Sequence, residues 1–244
     1  MDRISRLLLS LATCLCTAAV VRPAWGFPPT PQVTVRELIP LATWQKQFKI
    51  TEGKDRGKLV PLSFRHEPGH DQRFKLLFGD YAGILMRSDS GGGLIMERLD
   101  LLKSRSYIVY DPVLPILPKE FTAAVSPRRQ AGFKMYDLPT GRLKRAGRVT
   151  HRVKQISYSQ FDTPAGLVDG YTIDIEHGME MPFAQLDLTL RLGCRLDEGP
   201  VYGSGQYTLK KLGLFSETKT ATAALAKIEK IAGTNFPKPS SIDR

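Results

Sequence analysis

The chain has 244 residues and a formal net charge of +11 at neutral pH, and 42% of its residues are hydrophobic. It is long enough to bury a core of its own, and its three cysteines are too few for the disulfide framework usual in small secreted eukaryotic domains. The positive charge favours contact with acidic lipid, acidic polysaccharide or nucleic acid, but it says nothing about the fold.

Residues 1–26 have the pattern of a signal peptide. Two arginines precede an apolar run from Leu7 to Val21, and Ala24-Trp25-Gly26 offers small residues at the positions that a signal peptidase reads. The run of about 15 apolar residues is shorter than the ~20 that span a bilayer, which argues against a membrane anchor. We therefore expect cleavage before Phe27 and export to the periplasm or the medium of a bacterium.

The cysteines leave one alternative open. Leu11-Ala12-Thr13-Cys14 resembles the lipobox of bacterial lipoproteins, in which the cysteine is lipidated and becomes the first residue. Cleavage after Gly26 instead removes Cys14 and Cys16 and leaves only Cys194, so no internal disulfide forms. Because Cys194 directly follows an apolar strand, we expect it to be a buried structural thiol.

Residues 27–56 are predicted to form an N-terminal arm with a short helix. The apolar residues that follow Pro40 recur at helical spacing: Leu41, Trp44 and Phe48. Apolar alternation around Val33 leaves open a second reading, an extended arm that lies along a sheet.

Residues 57–215 are predicted to form an antiparallel β domain. Its clearest element is Phe183–Leu192, where apolar and polar residues alternate with the period of a strand that buries one face. Segments rich in Pro and Gly separate the other apolar segments, as expected between antiparallel strands. The other predicted strands are Lys58–His66, Phe74–Phe78, Gly132–Asp137, Gly141–Phe161, Leu167–His177 and Val201–Leu209, with a bulge near His151.

Two stretches of this domain are less regular. Leu94–Lys103 fits either a strand or a helix. Residues 111–118 contain three prolines, which lack the N–H groups that a helix or an inner strand requires. We expect this segment to be an apolar crossover that passes over one end of the sheet.

Helical spacing returns in residues 216–233, where Ala221, Leu225 and Ile228 share one face and a glycine follows as a stop signal. We predict a C-terminal helix packed on the sheet and a disordered tail over 234–244. Together these elements predict a mainly β fold, an antiparallel meander curled into a partial barrel or sandwich, with a short N-terminal helix and a C-terminal helix.

No catalytic or cofactor motif fits the structure that it would require. His66-Glu67-Pro68-Gly69-His70 matches the zinc-protease pattern H-E-x-x-H, but its proline and glycine prevent the helix that would bring both histidines to one face, so we predict a surface hairpin turn. Gly91-Gly92-Gly93 lacks the Lys and Ser/Thr of a phosphate loop. His151 and His177 are interpreted as ordinary sheet histidines. We predict no catalytic residue, metal or cofactor, and an envelope hydrolase is the least favoured function.

A row of basic side chains is a candidate binding surface. Even-numbered positions between 142 and 154 would lie on one face of a strand, and most of them are basic. The basic members are Arg142, Lys144, Arg148, Arg152 and Lys154. They form either a solvated outer face or a docking surface for an anionic membrane or polysaccharide. Nucleic acid is disfavoured because no aromatic residue is interleaved with the row.

The leader, the segment 111–118, the hairpin Thr163–Gly166 and the meander after it resemble exported bacterial β-rich proteins, including LolA/LolB-like carriers and lipocalin-like half-barrels. The resemblance implies a half-open barrel that holds acyl chains, and hence a lipid-like or amphiphilic ligand. The inward face of the sheet either lines such a cavity or fills a solid core. Its residues are Tyr171, Ile173, Ile175, Leu186, Leu188 and Leu190. A non-enzymatic scaffold that docks through the basic row is the alternative function.

Overall fold

The computed structural model describes residues 33–121, 126–211 and 215–229. The predicted leader, Cys14, the cleavage site before Phe27 and the predicted tail at 234–244 lie outside these residues. No helix of the described residues is long and apolar enough to cross a membrane.

Strands dominate the structure, and twelve of them form one closed antiparallel barrel. The elements in chain order are β1 Val33–Thr34, α1 Val35–Leu38, β2 Trp44–Glu52, β3 Leu59–Glu67, β4 His70–Phe78, β5 Ala82–Ser88, β6 Leu94–Leu101, a 3-10 turn Leu102–Ser104, β7 Ser106–Leu117, β8 Glu120–Phe121, β9 Arg129–Asp137, β10 Leu143–Thr163, β11 Gly166–Met181, β12 Ala184–Arg195, β13 Gly199–Lys211 and β14 Phe215–Glu229. Around the barrel the strand order is β10-β11-β12-β13-β14-β2-β3-β4-β5-β6-β7-β9, and β9 pairs with β10.

Because neighbouring strands are antiparallel, successive turns lie at opposite ends of the barrel. We call one end the distal end; its described turns are 53–58, 79–81, 102–105, 138–142 and 182–183. The other end, the capped end, has the hairpin turns 68–69, 89–93, 164–165 and 196–198.

The capped end is covered by a small separate unit, the cap, which consists of β1, α1 and β8. β1 pairs with β8, and the backbone N–H of Val35 donates to the carbonyl of Lys119 at 2.9 Å. Thr34 caps α1, since its hydroxyl accepts from the N–H of Glu37 while the Glu37 carboxylate accepts from the N–H of Thr34. Val35 and Leu38 are buried in the barrel core, so the cap is part of the hydrophobic packing.

The interior is filled by two hydrophobic clusters. One cluster contains a row of stacked rings from Trp44, Phe64 and Phe74 at the capped end and extends to Tyr81 in a distal turn. The other cluster includes Phe133 and Tyr207. Most of their strand residues lie at alternate positions, as the period-two pattern requires.

The expected partial barrel and the C-terminal helix are both wrong. Residues 215–229 form β14, which pairs with β13 on one side and with β2 on the other and thereby closes the barrel. Threonine recurs at alternate positions from Thr218 to Thr222, and Ala221, Ala223 and Leu225 are buried on the inner face. Two neighbouring ladders outweigh the helical propensity of a segment rich in Ala, Lys and Glu.

The amphipathic helix predicted after Pro40 is also wrong. The segment forms β2, in which Trp44, Phe48 and Ile50 are buried at even positions. The only turn of α-helix in the described arm is α1, which begins just after β1. Spacings of three and four residues over such a short window do not separate a helix from a strand.

The predicted crossover at 111–118 is a strand for most of its length. β7 continues to Leu117, where it pairs with Leu94 of β6. Its pairing with β9, however, stops at Asp111. Beyond this residue β7 has one barrel neighbour and its register with β6 shifts, so Pro112 and Pro115 are tolerated at an irregular, half-paired edge.

The structure decides between the two alternatives for residues 94–103, because Leu94–Leu101 is a strand. The predicted hairpin turn is confirmed, since Pro68 and Gly69 lie between β3 and β4. The bulge in β10 lies between Val153 and Gln155, two residues from the expected position.

The strand assignment of β14 predicts the effect of a charge at Ala223. In the predicted helix, position 223 faces away from the apolar side, whereas in the barrel Ala223 is 1% exposed. We expect Ala223→Lys to lower the free energy of unfolding by more than about 3 kcal/mol, since it buries an unpaired charge, and Thr220→Lys on the exposed face to change it little. Urea denaturation measures both, and equal stability of the two variants would contradict a barrel strand here.

Candidate functional site

The capped end contains a cavity of about 810 Å³ between the cap and the rim of the barrel. It is lined by Thr34, Arg36, Leu41, His66, Asp71, Gln72, Phe74, Arg87, Ser88, Asp89, Ser90, Gly91, Gly92 and Lys119. Its volume falls within the range of small-molecule sites, roughly 300 to 1,000 Å³.

The β3–β4 hairpin forms the apolar wall of the cavity. Phe74 ends the row of stacked rings and is itself 2% exposed. The His66 ring meets Phe74 edge-on, with 4.9 Å between the ring centroids, and is exposed. Aromatic contacts of this kind hold the wall rigid, because each ring in the row is packed on the next.

The β5–β6 turn forms the second wall. Asp89 accepts a hydrogen bond from the N–H of Gly93 at 2.8 Å, which closes the turn. A side chain at Gly93 would meet Asp89 and the backbone of Leu117 at 2.9 Å, so glycine is required there. Arg87 is paired at 3.0 Å with Glu97, a carboxylate that it shares with Arg73.

The cap supplies the third wall and two further cations. Arg36 is exposed on α1 and has no ion-pair partner among the described residues. Lys119 is paired with Glu120 only at 3.4 Å, and both side chains are largely exposed. Leu41 is half-buried and adds a second apolar contact. The cavity therefore joins an apolar floor at Phe74 and Leu41 to polar walls that contain both hydrogen-bond donors and acceptors.

The residues predicted to face inward do so, but none of them lines this cavity. Ile173, Ile175, Leu186 and Leu188 are buried, whereas Tyr171 and Leu190 are half-buried and pack against the core. Their role in holding a ligand stays a prediction. Sequence reasoning missed the lining residues of the hairpin turns, because it weighed those turns only as catalytic motifs.

Three of the five side chains in the predicted basic row form ion pairs, so only part of the positive charge of the row is left unbalanced. Lys144 pairs with Asp137 at 2.5 Å, and Arg152 and Lys154 both pair with Glu176, at 2.9 and 3.2 Å. Although burial opposes the effect, hydrogen bonds from these two residues hold the pKa of Glu176 below its usual value.

The two remaining members, Arg142 and Arg148, are exposed. Glu180 on β11 lies directly opposite Arg148 in the ladder. Docking through this strand face stays a prediction, and the facing acidic row on β11 weakens it.

His151 and His177 lie opposite each other on β10 and β11, and both point into the barrel. Their Nδ1 atoms are 3.4 Å apart, and Nε2 of His151 is 2.7 Å from the carbonyl oxygen of Ile116. Burial lowers the pKa of His151, against the effect of that hydrogen bond; burial and, less strongly, His151 lower the pKa of His177 to about 3.

Both rings are therefore neutral at pH 7, and their hydrogen bonds assign the tautomers. A carbonyl only accepts, so Nε2 of His151 carries the proton and its Nδ1 is bare. That Nδ1 accepts from Nδ1–H of His177, which leaves Nε2 of His177 without a proton. The sequence indicated the burial of His151, because it alternates with the same period as the buried residues Val149 and Val153.

A buried lysine lies beside the only cysteine of the described residues. Nζ of Lys46 donates to the carbonyl of Pro200 at 3.1 Å, and burial lowers its pKa to about 8, against the opposing charge of Glu198. Cys194 is fully buried, as predicted, and burial raises its pKa to about 12 despite the nearby Lys46. A thiol with that pKa is protonated and unreactive at neutral pH.

The described residues form no group of three or more His, Cys, Asp or Glu side chains that could hold a metal ion. His66 and His70 are exposed on a hairpin rather than on one face of a helix, so the zinc-protease geometry is absent there.

No protein-family model matches the sequence, and no curated protein matches it. Among solved structures, the chain is similar to the hypothetical lipoprotein YmcC from Escherichia coli K12, with a TM-score of 0.35 and 10% sequence identity over 73% of this chain and 90% of that chain. A TM-score below 0.5 transfers neither a site nor an activity. The resemblance to LolA/LolB-like carriers stays a prediction.

The histidine pair predicts a pH dependence of stability. An unfolded histidine binds its proton near pH 6.5, whereas folded His177 does so only near pH 3, so the unfolded state binds more protons between these values. Stability is therefore lost as the pH falls through this window, by about 1.4 kcal/mol per pH unit for His177. In urea titrations at several pH values, the stability difference between the wild-type protein and His177→Gln should shrink as the pH falls. A difference that is independent of pH would contradict a neutral, buried His177.

Proposed function

We propose that this protein is a non-enzymatic, exported protein of the bacterial cell envelope that binds a small amphiphile in the cavity under the cap. The observation that supports this most is the cavity itself, in which Phe74 and Leu41 lie beside the exposed Arg36 and Lys119. Export is supported by the leader pattern of residues 1–26.

The chemistry of the walls suggests how such a ligand would be held. A short apolar part would contact Phe74 and Leu41, which removes apolar surface from water. An anionic head would pair with Arg36, which has no ion-pair partner among the described residues, and with Lys119, whose pair with Glu120 is largely exposed. Hydroxyl or amide groups of the ligand would find acceptors and donors in Asp71 and Gln72.

The role of Arg36 is testable with a single-chain anionic amphiphile. We expect lysophosphatidylglycerol to bind the wild-type protein and Arg36→Glu to bind it at least about tenfold more weakly, which corresponds to about 1.4 kcal/mol. Isothermal titration calorimetry at low salt measures the affinity, and native mass spectrometry identifies the adduct.

Two further variants keep the test specific. Arg65→Glu makes the same change of charge at an exposed position outside the cavity and should bind as the wild type does. Ser90→Trp fills the cavity from the exposed turn and should abolish binding without unfolding the barrel. Unchanged binding by both Arg36→Glu and Ser90→Trp would place the ligand elsewhere or refute the function.

A further inference from the structure

We propose that the distal end of the barrel docks on the surface of an anionic lipid bilayer. The inference is independent of the ligand cavity, which lies at the opposite end of the barrel. In this proposal the membrane contacts a set of turns that the tertiary structure brings together, and not the strand face of β10 that the sequence suggested.

Four distal turns form one connected surface, which we call the distal patch. In its centre, the hydroxyl of Tyr81 donates to Asp55 at 2.9 Å, which joins the turns 79–81 and 53–58. The N–H of Leu102 donates to the carbonyl of Tyr81 at 3.0 Å, and the N–H of Leu138 donates to the carbonyl of Arg105 at 2.7 Å. The turns 102–105 and 138–142 are thereby attached to the same surface.

The distal patch is strongly basic. Its turns carry six basic and two acidic side chains. The basic residues are Lys54, Arg56, Lys58, Lys103, Arg105 and Arg142, and the acidic residues are Asp55 and Asp80. Nζ of Lys103 lies 3.8 Å from the carboxylate of Asp55. The ammonium groups of Lys58 and Lys103 lie over the buried Tyr81 ring, 4.9 and 3.4 Å from its centroid. Several of the cations are thus held in place and face solvent.

Large apolar side chains stand exposed among these cations. Leu59 is 60% exposed, Leu143 is 51% exposed and Leu138 is 39% exposed at the edges of the patch. Phe183, in the remaining described turn of this end, is 72% exposed. Cations together with protruding apolar side chains match a bilayer surface, where the head groups are anionic and the acyl boundary is apolar. A soluble polyanion would pair with the cations alone and would leave the apolar side chains exposed to water.

The capped end differs in charge. Its four hairpin turns contain three acidic side chains and no basic one within the described residues: Asp89, Asp197 and Glu198. The cap adds two charges of each sign, with Arg36 and Lys119 balanced by Glu37 and Glu120. An anionic surface therefore attracts one end of the barrel and repels the hairpin turns of the other, which sets the orientation of the docked molecule.

The test is co-sedimentation of the purified protein with vesicles. We expect binding to vesicles of phosphatidylglycerol and phosphatidylcholine in equal parts, weakening with added salt, and little binding to phosphatidylcholine alone. The triple variant Lys54→Glu, Arg56→Glu, Arg142→Glu should lose about a hundredfold in partitioning, because each basic residue near such a surface contributes a few-fold or more. None of the three side chains has an ion-pair partner among the described residues, so the fold should be unaffected.

Matched control variants distinguish an effect of the distal patch from an effect of the net charge of the protein. The variant Arg65→Glu, Arg128→Glu, Arg129→Glu has the same net charge but changes exposed residues away from the distal patch, and it should bind as the wild type does. Leu59→Ser with Leu143→Ser should weaken binding, whereas Leu167→Ser, which is 65% exposed near the capped end, should not.

Three results would overturn the proposal. The first is an equal loss of binding in the two charge variants. The second is equal binding of the wild-type protein to the two vesicle types. The third is binding to dextran sulfate that is as strong as vesicle binding and that Leu59→Ser with Leu143→Ser does not change. The last result would identify a site for an acidic polysaccharide.

Discussion

The double ladder of β14, which pairs with β13 on one side and with β2 on the other, is the constraint on which the barrel depends. Without it, β13 and β2 would each present an unpaired edge, and the inner face of the sheet would open to water. With it, all twelve strands have two neighbours over part of their length. The small residues Ala221 and Ala223 allow close packing of this last strand against the core.

Closure gives the molecule two ends of different character. The cap is packed into the core at one end through Val35 and Leu38, and the cavity lies between the cap and two hairpins. At the other end, the turns around Tyr81 gather cations and exposed leucines. A candidate binding site and a candidate docking surface are therefore separated by the length of the barrel, and each can be altered without the other.

The barrel interior also contains polar groups whose burial must be offset by hydrogen bonds. His151 and His177 satisfy each other and the Ile116 carbonyl, and Lys46 donates to the Pro200 carbonyl. Such groups favour one register of the strands, since a slip of one residue in β10 would place His151 outside and leave His177 unpaired. The cost is sensitivity to acid, because a proton on either ring would be buried without a counter-charge.

Local patterns in the sequence determined most strands, the turn at Pro68-Gly69, the burial of Cys194 and the inward phase of residues such as Ile173 and Leu188, because a period of two and the chemistry of Gly and Pro act within a few residues. Only the tertiary structure decided that 215–229 is a strand, since its two ladders are contacts with distant segments. The same holds for the cavity, the histidine pair and the distal patch. Each of them consists of side chains from turns or strands that the chain brings together only when the barrel closes.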